Sequence, residues 1–269
     1  MDDRAIGVFD SGLGGLTAVK QLMEVLPHED IVYFGDTGRV PYGTRSPQAI
    51  TKYVMQDINF LKTFNIKVIV VACGTASTVA LPLIKNSVGI PITGVVDAAA
   101  VCAVNSTKNK RIGVIATPAT VKSGAFGEKI TSLSPDAEVF SVPCPLFVPL
   151  AENGHFATQA ARLIAEEYLQ PLKVSCVDTL ILGCTHYPLL KGIIGEIMGK
   201  NVTLIDVCSA TAKHVREYLE NNDMLKSGSG SGSYSYYVSD DTDNFSRLGS
   251  VFLQREIGEM VEKVDIEKY

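Results

Sequence analysis

Residues 67–79 read KVIVVACGTASTV, an apolar run of strand length that stops at a cysteine and passes through a glycine and a threonine into a stretch of helical character. Apolar runs without polar alternation belong to strands buried on both faces, as in parallel sheets covered by helices. Cys73 therefore falls at the carboxyl end of a buried strand, where open α/β sheets bind their ligands. Residues 178–190, DTLILGCTHYPLL, repeat the arrangement around Cys184, with Thr185 suited to cap a helix and Pro188 to its first turn. Both thiols are expected at helix N-termini, where unpaired N–H groups stabilise a thiolate and hold a carboxylate.

Outward from these two points the same rhythm continues. Ala5 to Phe9, Ile31 to Phe34, Arg111 to Ile115, Glu138 to Val142 and Val202 to Val207 are further strand-length runs, each followed by a helical or loop segment. The alternation predicts an α/β fold with mainly parallel sheets. Three matched stretches keep their order at a nearly constant offset: IGVFDSG from Ile6 with IGVIATP from Ile112, VVACGTAS with LILGCTHY, and GVVDAAA with LIDVCSA. Duplication predicts two similar α/β domains related by pseudo-twofold symmetry, with the site in the cleft between them. The boundaries read as 1–97 plus 208–269 for the first domain and 98–207 for the second. Residues 227–237, SGSGSGSYSYY, read as a long surface loop before a helix-like DNFSRLGSVFLQREI.

Composition narrows the class. The 269 residues are 46% hydrophobic and 20% charged, with a formal net charge of −5 and scattered Lys and Arg. No basic footprint for nucleic acid is present, and no apolar run reaches the roughly 18 residues of a membrane helix. The start, MDDRAIGVFD, lacks the basic-then-apolar pattern of a secretion signal, so a cytoplasmic protein is expected. The six cysteines at 73, 102, 144, 176, 184 and 208 contain no C-x-x-C pair, so neither a disulfide frame nor a metal knuckle is expected. Cys102, Cys144, Cys176 and Cys208 lack the symmetry of the other two and read as structural. Two thiols at duplicated positions facing one cleft are the arrangement needed to take a proton from one face of a carbon and return one to the other.

DSGLGG at 10–15, DTGRVPYG at 36–43, VACGTAS at 71–77 and LGCTHYPLL at 182–190 together resemble the glutamate racemases, over essentially the whole chain. The resemblance implies an isomerase that interconverts L- and D-glutamate without pyridoxal phosphate or metal and supplies D-glutamate to peptidoglycan. It implies Cys73 as the base toward D-glutamate, Cys184 as the base toward L-glutamate, and Asp10 and His186 as the groups that tune them. Ser11, Tyr42, Gly43, Gly74, Thr75 and Thr185, with Asp10 and His186, match substrate-binding positions. Asp36, Glu152, Thr117 and Thr120 are further candidates. The family's usual Asn after the first cysteine is replaced here by Gly74, which removes one amide donor and leaves the backbone N–H.

A related aspartate or hydantoin racemase is the nearest alternative, since paired thiols specify proton transfer and not side-chain length. GLGG at 12–15 fits neither dinucleotide nor P-loop spacing. A non-enzymatic two-domain small-molecule-binding protein would need the cleft but not the twinned cysteines. The expected partner is a small-molecule substrate, with no nucleic acid or membrane partner, and a homodimer is the expected assembly.

Overall fold

The computed structural model describes residues 1–228, 230–257 and 261–269. Its strands are β1 Ala5–Asp10, β2 Ile31–Gly35, β3 Ile66–Val71, β4 Ile92–Gly94, β5 Arg111–Ala116, β6 Glu138–Pro143, β7 Thr179–Leu182, β8 Thr203–Asp206, β9 Tyr234–Val238 and β10 Val261–Lys263. They form two parallel sheets, ordered β10-β9-β2-β1-β3-β4 and β6-β5-β7-β8. The order β2-β1-β3-β4 of the first is repeated by the whole of the second, so the matched sequence stretches occupy equivalent strands. The central strands β1, β3, β5 and β7 are buried almost throughout, which explains their unbroken apolar runs.

Helices cover both sheets. Helix Pro47–Leu61 begins where Ser46 accepts the Ala49 N–H at 3.3 Å and Pro47 supplies a preset first turn, a cap worth about 1 kcal/mol. Its buried face carries Ile50, Val54, Ile58 and Leu61, and also Asp57. Helices Val96–Ser106 and Val207–Asn221 follow the equivalent strands β4 and β8 and pack on each other within one apolar cluster that takes in Val8 of β1 and Val114 of β5. Ala98, Ala99, Ala100 and Ala103 are all buried there, and small side chains let the two helices approach closely. Among the described residues no helix is long and apolar enough to cross a membrane.

The structure corrects the C-terminal reading. Tyr234–Val238 is not loop but β9, paired in parallel with β2 from Ile31↔Tyr234 to Gly35↔Val238. Gly232 and Ser233, just before it, are laid against the turn after the first helix: the Gly232 N–H donates to the Pro27 carbonyl at 2.9 Å, and Ser233 donates to Asp30 Oδ1 at 2.7 Å through both N–H and Oγ. A Cβ on Gly232 would collide with the Glu29 carbonyl oxygen, so this glycine is there for contact and not for flexibility. Residue 229 lies outside the described residues. The short strands β4 and β10 also escaped the sequence reading. Each has three residues, too few to show a pattern.

Candidate active site

The strand ends of the two sheets converge on one cavity of about 390 Å³, at the small end of the range for small-molecule sites. From the first half come Asp10, Ser11, Val40, Pro41, Tyr42, Gly43, Thr44, Cys73, Gly74 and Thr75; from the second come Thr117, Glu152, Cys184, Thr185 and His186. Cys73 is two residues beyond the end of β3 and Cys184 two beyond β7, the equivalent strand. Both are buried.

Their surroundings differ. Cys73 is the N-cap of helix Gly74–Val79, and its Sγ accepts the Ala76 N–H at 3.4 Å and lies 3.6 Å from Ser11 Oγ. Burial and the nearby Asp10 carboxyl outweigh these contacts and push the Cys73 thiol up to about 12. Cys73 thus sits at the expected helix N-terminus, and the Ala76 N–H of that end favours the thiolate without offsetting burial. Cys184 departs from expectation. It is followed by a turn and then a 3-10 segment, Tyr187–Leu190, whose N-cap is His186 and whose start has no side-chain cap from Thr185. Pro188 does sit in the first turn. Instead of a helix end, Cys184 has a histidine: its Sγ lies 3.8 Å from His186 Nδ1, and His186 Nε2 lies 3.0 Å from Glu152 Oε1. Burial works to lower the imidazole pKa, but the hydrogen bonds and charges of Cys184 and Glu152 prevail and hold it at about 10. At neutral pH His186 is therefore an imidazolium that donates to Glu152 on one side and faces the Cys184 sulfur on the other.

Asp10, the last residue of β1, accepts the Gly12 N–H at 3.1 Å through Oδ2, while Oδ1 has no hydrogen-bond partner among the described residues. Burial raises its carboxyl, opposed by the charge on His186 and the N–H groups of Gly15 and Gly12. Hydroxyls complete the polar wall. Thr75 and Thr117 meet across the two halves with Oγ1 atoms 3.0 Å apart, and Thr117 in turn donates to Thr120 at 3.0 Å. Thr120 stands behind Thr117 and does not line the cavity. Among the described residues that line it there is no Lys or Arg, so His186 is the one cationic side chain and anionic ligand groups must be met by N–H and hydroxyl donors. No described group of three or more His, Cys, Asp or Glu is placed to hold a metal ion.

Two expected positions are relocated. Asp36 does not reach the cavity: it is wholly buried behind it, bound by Arg39 Nε at 2.7 Å, Ser239 Oγ at 2.8 Å and the Tyr42 hydroxyl at 2.5 Å. Tyr42 lines the cavity, but its hydroxyl is turned to Asp36 and Asp57 and is not available to a ligand. The sequence reading missed the apolar wall of Val40, Pro41, Pro118, Pro145, Val148 and Pro149. Its signal was the cluster of prolines just after strand ends. Cys102 is half-buried and Cys144 and Cys208 are buried, whereas Cys176 is exposed and is no part of a core.

A family model described as Asp/Glu/Hydantoin racemase matches residues 16–215 of this chain. A glutamate racemase of Geobacter metallireducens is 46% identical over 259 residues, covering 96% of each sequence. Among solved structures, a glutamate racemase from Francisella tularensis in complex with D-glutamate superposes with a TM-score of 0.92 at 40% identity over 100% of both chains. A glutamate racemase isoform from Bacillus anthracis does so with a TM-score of 0.94 at 34% identity over 98% of both.

Proposed function

We propose, from the premise that this chain belongs to the Asp/Glu/hydantoin racemase family and is an isomerase, that it interconverts L- and D-glutamate by proton transfer between the substrate α-carbon and two cysteines. The observation that carries the reading is that Cys73 and Cys184, from equivalent strands of opposite halves, line one cavity large enough for an amino acid. The α-ammonium fits Asp10, whose Oδ1 has no partner among the described residues, and the carboxylates fit the N–H and hydroxyl donors of Ser11, Gly43, Gly74, Thr75, Thr117 and Thr185.

The two thiols have complementary roles. Cys73, a thiol at rest, gives a proton, while Cys184, beside the imidazolium of His186, takes one. That is the state ready for L-glutamate; turnover leaves the opposite state, ready for D-glutamate. Donors held in fixed positions around the substrate carboxylate stabilise the charge that builds on it. Acid and base are both thiols of the chain, and the scheme is written without pyridoxal phosphate or metal. The product D-glutamate would feed peptidoglycan synthesis in the cytoplasm. Sheet membership supports reading 1–97 with 208–269 as one domain and 98–207 as the other.

The test is chiral chromatography of L-glutamate incubated with purified protein in D2O without added cofactor. D-glutamate carrying deuterium at the α-carbon is the expected product, and Cys73→Ser and Cys184→Ser should each nearly abolish it while leaving the fold intact. Near wild-type turnover in either serine variant would remove that cysteine from the mechanism. Aspartate and a hydantoin run in parallel decide the substrate.

A further inference from the structure

Behind the cavity wall formed by residues 40–44 lies a buried polar cluster that the proposed chemistry leaves unused. The Tyr42 hydroxyl lies 2.5 Å from Asp36 Oδ2 and 2.9 Å from Asp57 Oδ2, and both carboxyl groups are wholly buried. Arg39 meets Asp36 through Nε at 2.7 Å and Asp57 through Nη2 at 3.2 Å. Its Nη1 turns outward to Gln56 Oε1 at 2.6 Å and Glu267 Oε1 at 3.1 Å.

A proton count decides the state of this cluster. The phenol has one hydrogen and two carboxyl neighbours. The shorter bond goes to Asp36, whose oxygens also collect Arg39 Nε and Ser239 Oγ and which is therefore the anion. Asp57 Oδ2 is then left against a phenol oxygen whose hydrogen is already committed. Two oxygens at 2.9 Å need a proton between them, and Asp57 is the remaining source. The charges agree with the count, since Arg39 is shared among Asp36, Asp57 and Glu267 and cannot neutralise all three. The groups facing Asp57 are Asp36, Arg39 and Tyr42 from the loop after β2 and Asp10 at longer range from β1, while Gln56 on its own helix binds Arg39. Burial, then the charge on Asp36, holds its carboxyl well above the usual range despite Tyr42 and Arg39.

We propose that Asp57 is kept as a carboxylic acid and serves as a positioning residue: it donates to the Tyr42 oxygen, Tyr42 donates to Asp36, and this relay fixes the Val40–Thr44 wall of the cavity. The role rests on the reading of that cavity as the glutamate site; the protonation state does not. Asn is a close mimic of a protonated Asp, since its amide donates to Tyr42 and its carbonyl accepts from Arg39. Asp36 has no such mimic, because it must balance Arg39.

The experiment compares Asp57→Asn, Asp57→Ala and Asp36→Asn. In the unliganded protein, an infrared difference spectrum of wild type minus Asp57→Asn should show a carboxylic-acid carbonyl band at neutral pH. In steady-state racemisation Asp57→Asn should keep kcat and KM near wild type. Asp57→Ala should raise KM roughly fivefold, and Asp36→Asn roughly tenfold or more, with kcat changed less. Absence of the acid band, or a folded Asp57→Asn whose KM rises as far as that of Asp57→Ala, would overturn the proposal. The infrared result stands whether or not glutamate is the substrate, and so separates the two failures.

Discussion

His186 Nδ1 lies 3.8 Å from Cys184 Sγ, a partnership with no counterpart at Cys73. The two halves repeat their strand order yet surround their thiols differently, one with a carboxyl and a hydroxyl, the other with an imidazolium braced by Glu152. Two enantiomers in solution have equal free energy, so kcat/KM must be the same in both directions whatever this asymmetry. Its effects are confined to the separate values of kcat and KM, and to how each depends on pH.

The first prediction concerns that pH dependence. The His186 imidazole has its pKa raised above the ordinary 6.5 to about 10, so its charge is complete at neutral pH and is lost as pH rises through about 10. Activity that needs the imidazolium should fall over the same alkaline range. Glu152→Gln removes one of the two partners that hold the charge, and the alkaline limb of kcat/KM should move to lower pH. The substrate ammonium titrates identically for both enzymes, so the difference between profiles reports His186. Superimposable alkaline limbs would show that Glu152 does not set the charge.

Alkylation should separate the thiols. Cys176 is exposed, Cys184 faces the imidazolium, and Cys73 is a buried thiol pushed up to about 12. Mass mapping after brief iodoacetamide treatment at neutral pH should find Cys176 and Cys184 labelled ahead of Cys73, Cys144 and Cys208. Glutamate should protect Cys184 and leave Cys176 unchanged. Labelling of Cys73 ahead of Cys184 would contradict the resting state assigned here.

A third prediction tests how the Cys184 loop is held. Thr17, buried in the first half, has its Oγ1 2.9 Å from the Thr185 carbonyl, 2.8 Å from the Gly14 carbonyl and 3.1 Å from Cys208 Sγ. Thr17→Val keeps the shape and leaves the Thr185 carbonyl without this donor, while the Gly14 carbonyl keeps the Thr17 N–H at 3.0 Å, and it should lower unfolding free energy by about 1 to 3 kcal/mol in urea titration. Thr17→Ser should recover most of the loss. Equal stability of the valine variant would mean that the Thr185 carbonyl finds another donor.

What was legible in the sequence was what periodicity and strand ends encode. The buried strands carrying Ile6, Val70, Val114 and Ile181, and the cysteines just beyond two of them, follow from apolar runs and the rule that ligands sit at carboxyl ends. Side-chain direction was not legible. Tyr42 sits in the expected segment, yet its hydroxyl points away from the cavity because Asp57 reaches it from the helix that follows, a contact that no local pattern announces. A trace of that was present, since Asp57 interrupts the apolar face Ile50, Val54, Ile58 and Leu61. Strand β9 was hidden because Ser and Gly precede it and its pairing depends on β2, some two hundred residues away.

The last prediction reverses the one that the missing Asn invites. An added amide at position 74 would be expected to bind substrate and lower KM. In the structure a Cβ on Gly74 would lie 2.6 Å from the Gly183 carbonyl oxygen, a backbone atom immediately before Cys184. Gly74 is not among the glycines with positive φ, so space and not backbone freedom accounts for it. Its backbone touches the other half just where the two cysteine segments meet, and any side chain there must push those segments apart. Gly74→Asn should therefore raise KM in both directions, and Gly74→Ala should already show the effect, because the clash lies at Cβ and not in the amide. Forcing atoms into such a contact typically costs about 1 to 3 kcal/mol, or roughly five- to 150-fold in kcat/KM if all of it falls on the closed complex. Steady-state assays of both variants settle the sign. A lower KM for Gly74→Asn alone would mean that the halves separate readily and that the amide, once admitted, binds substrate.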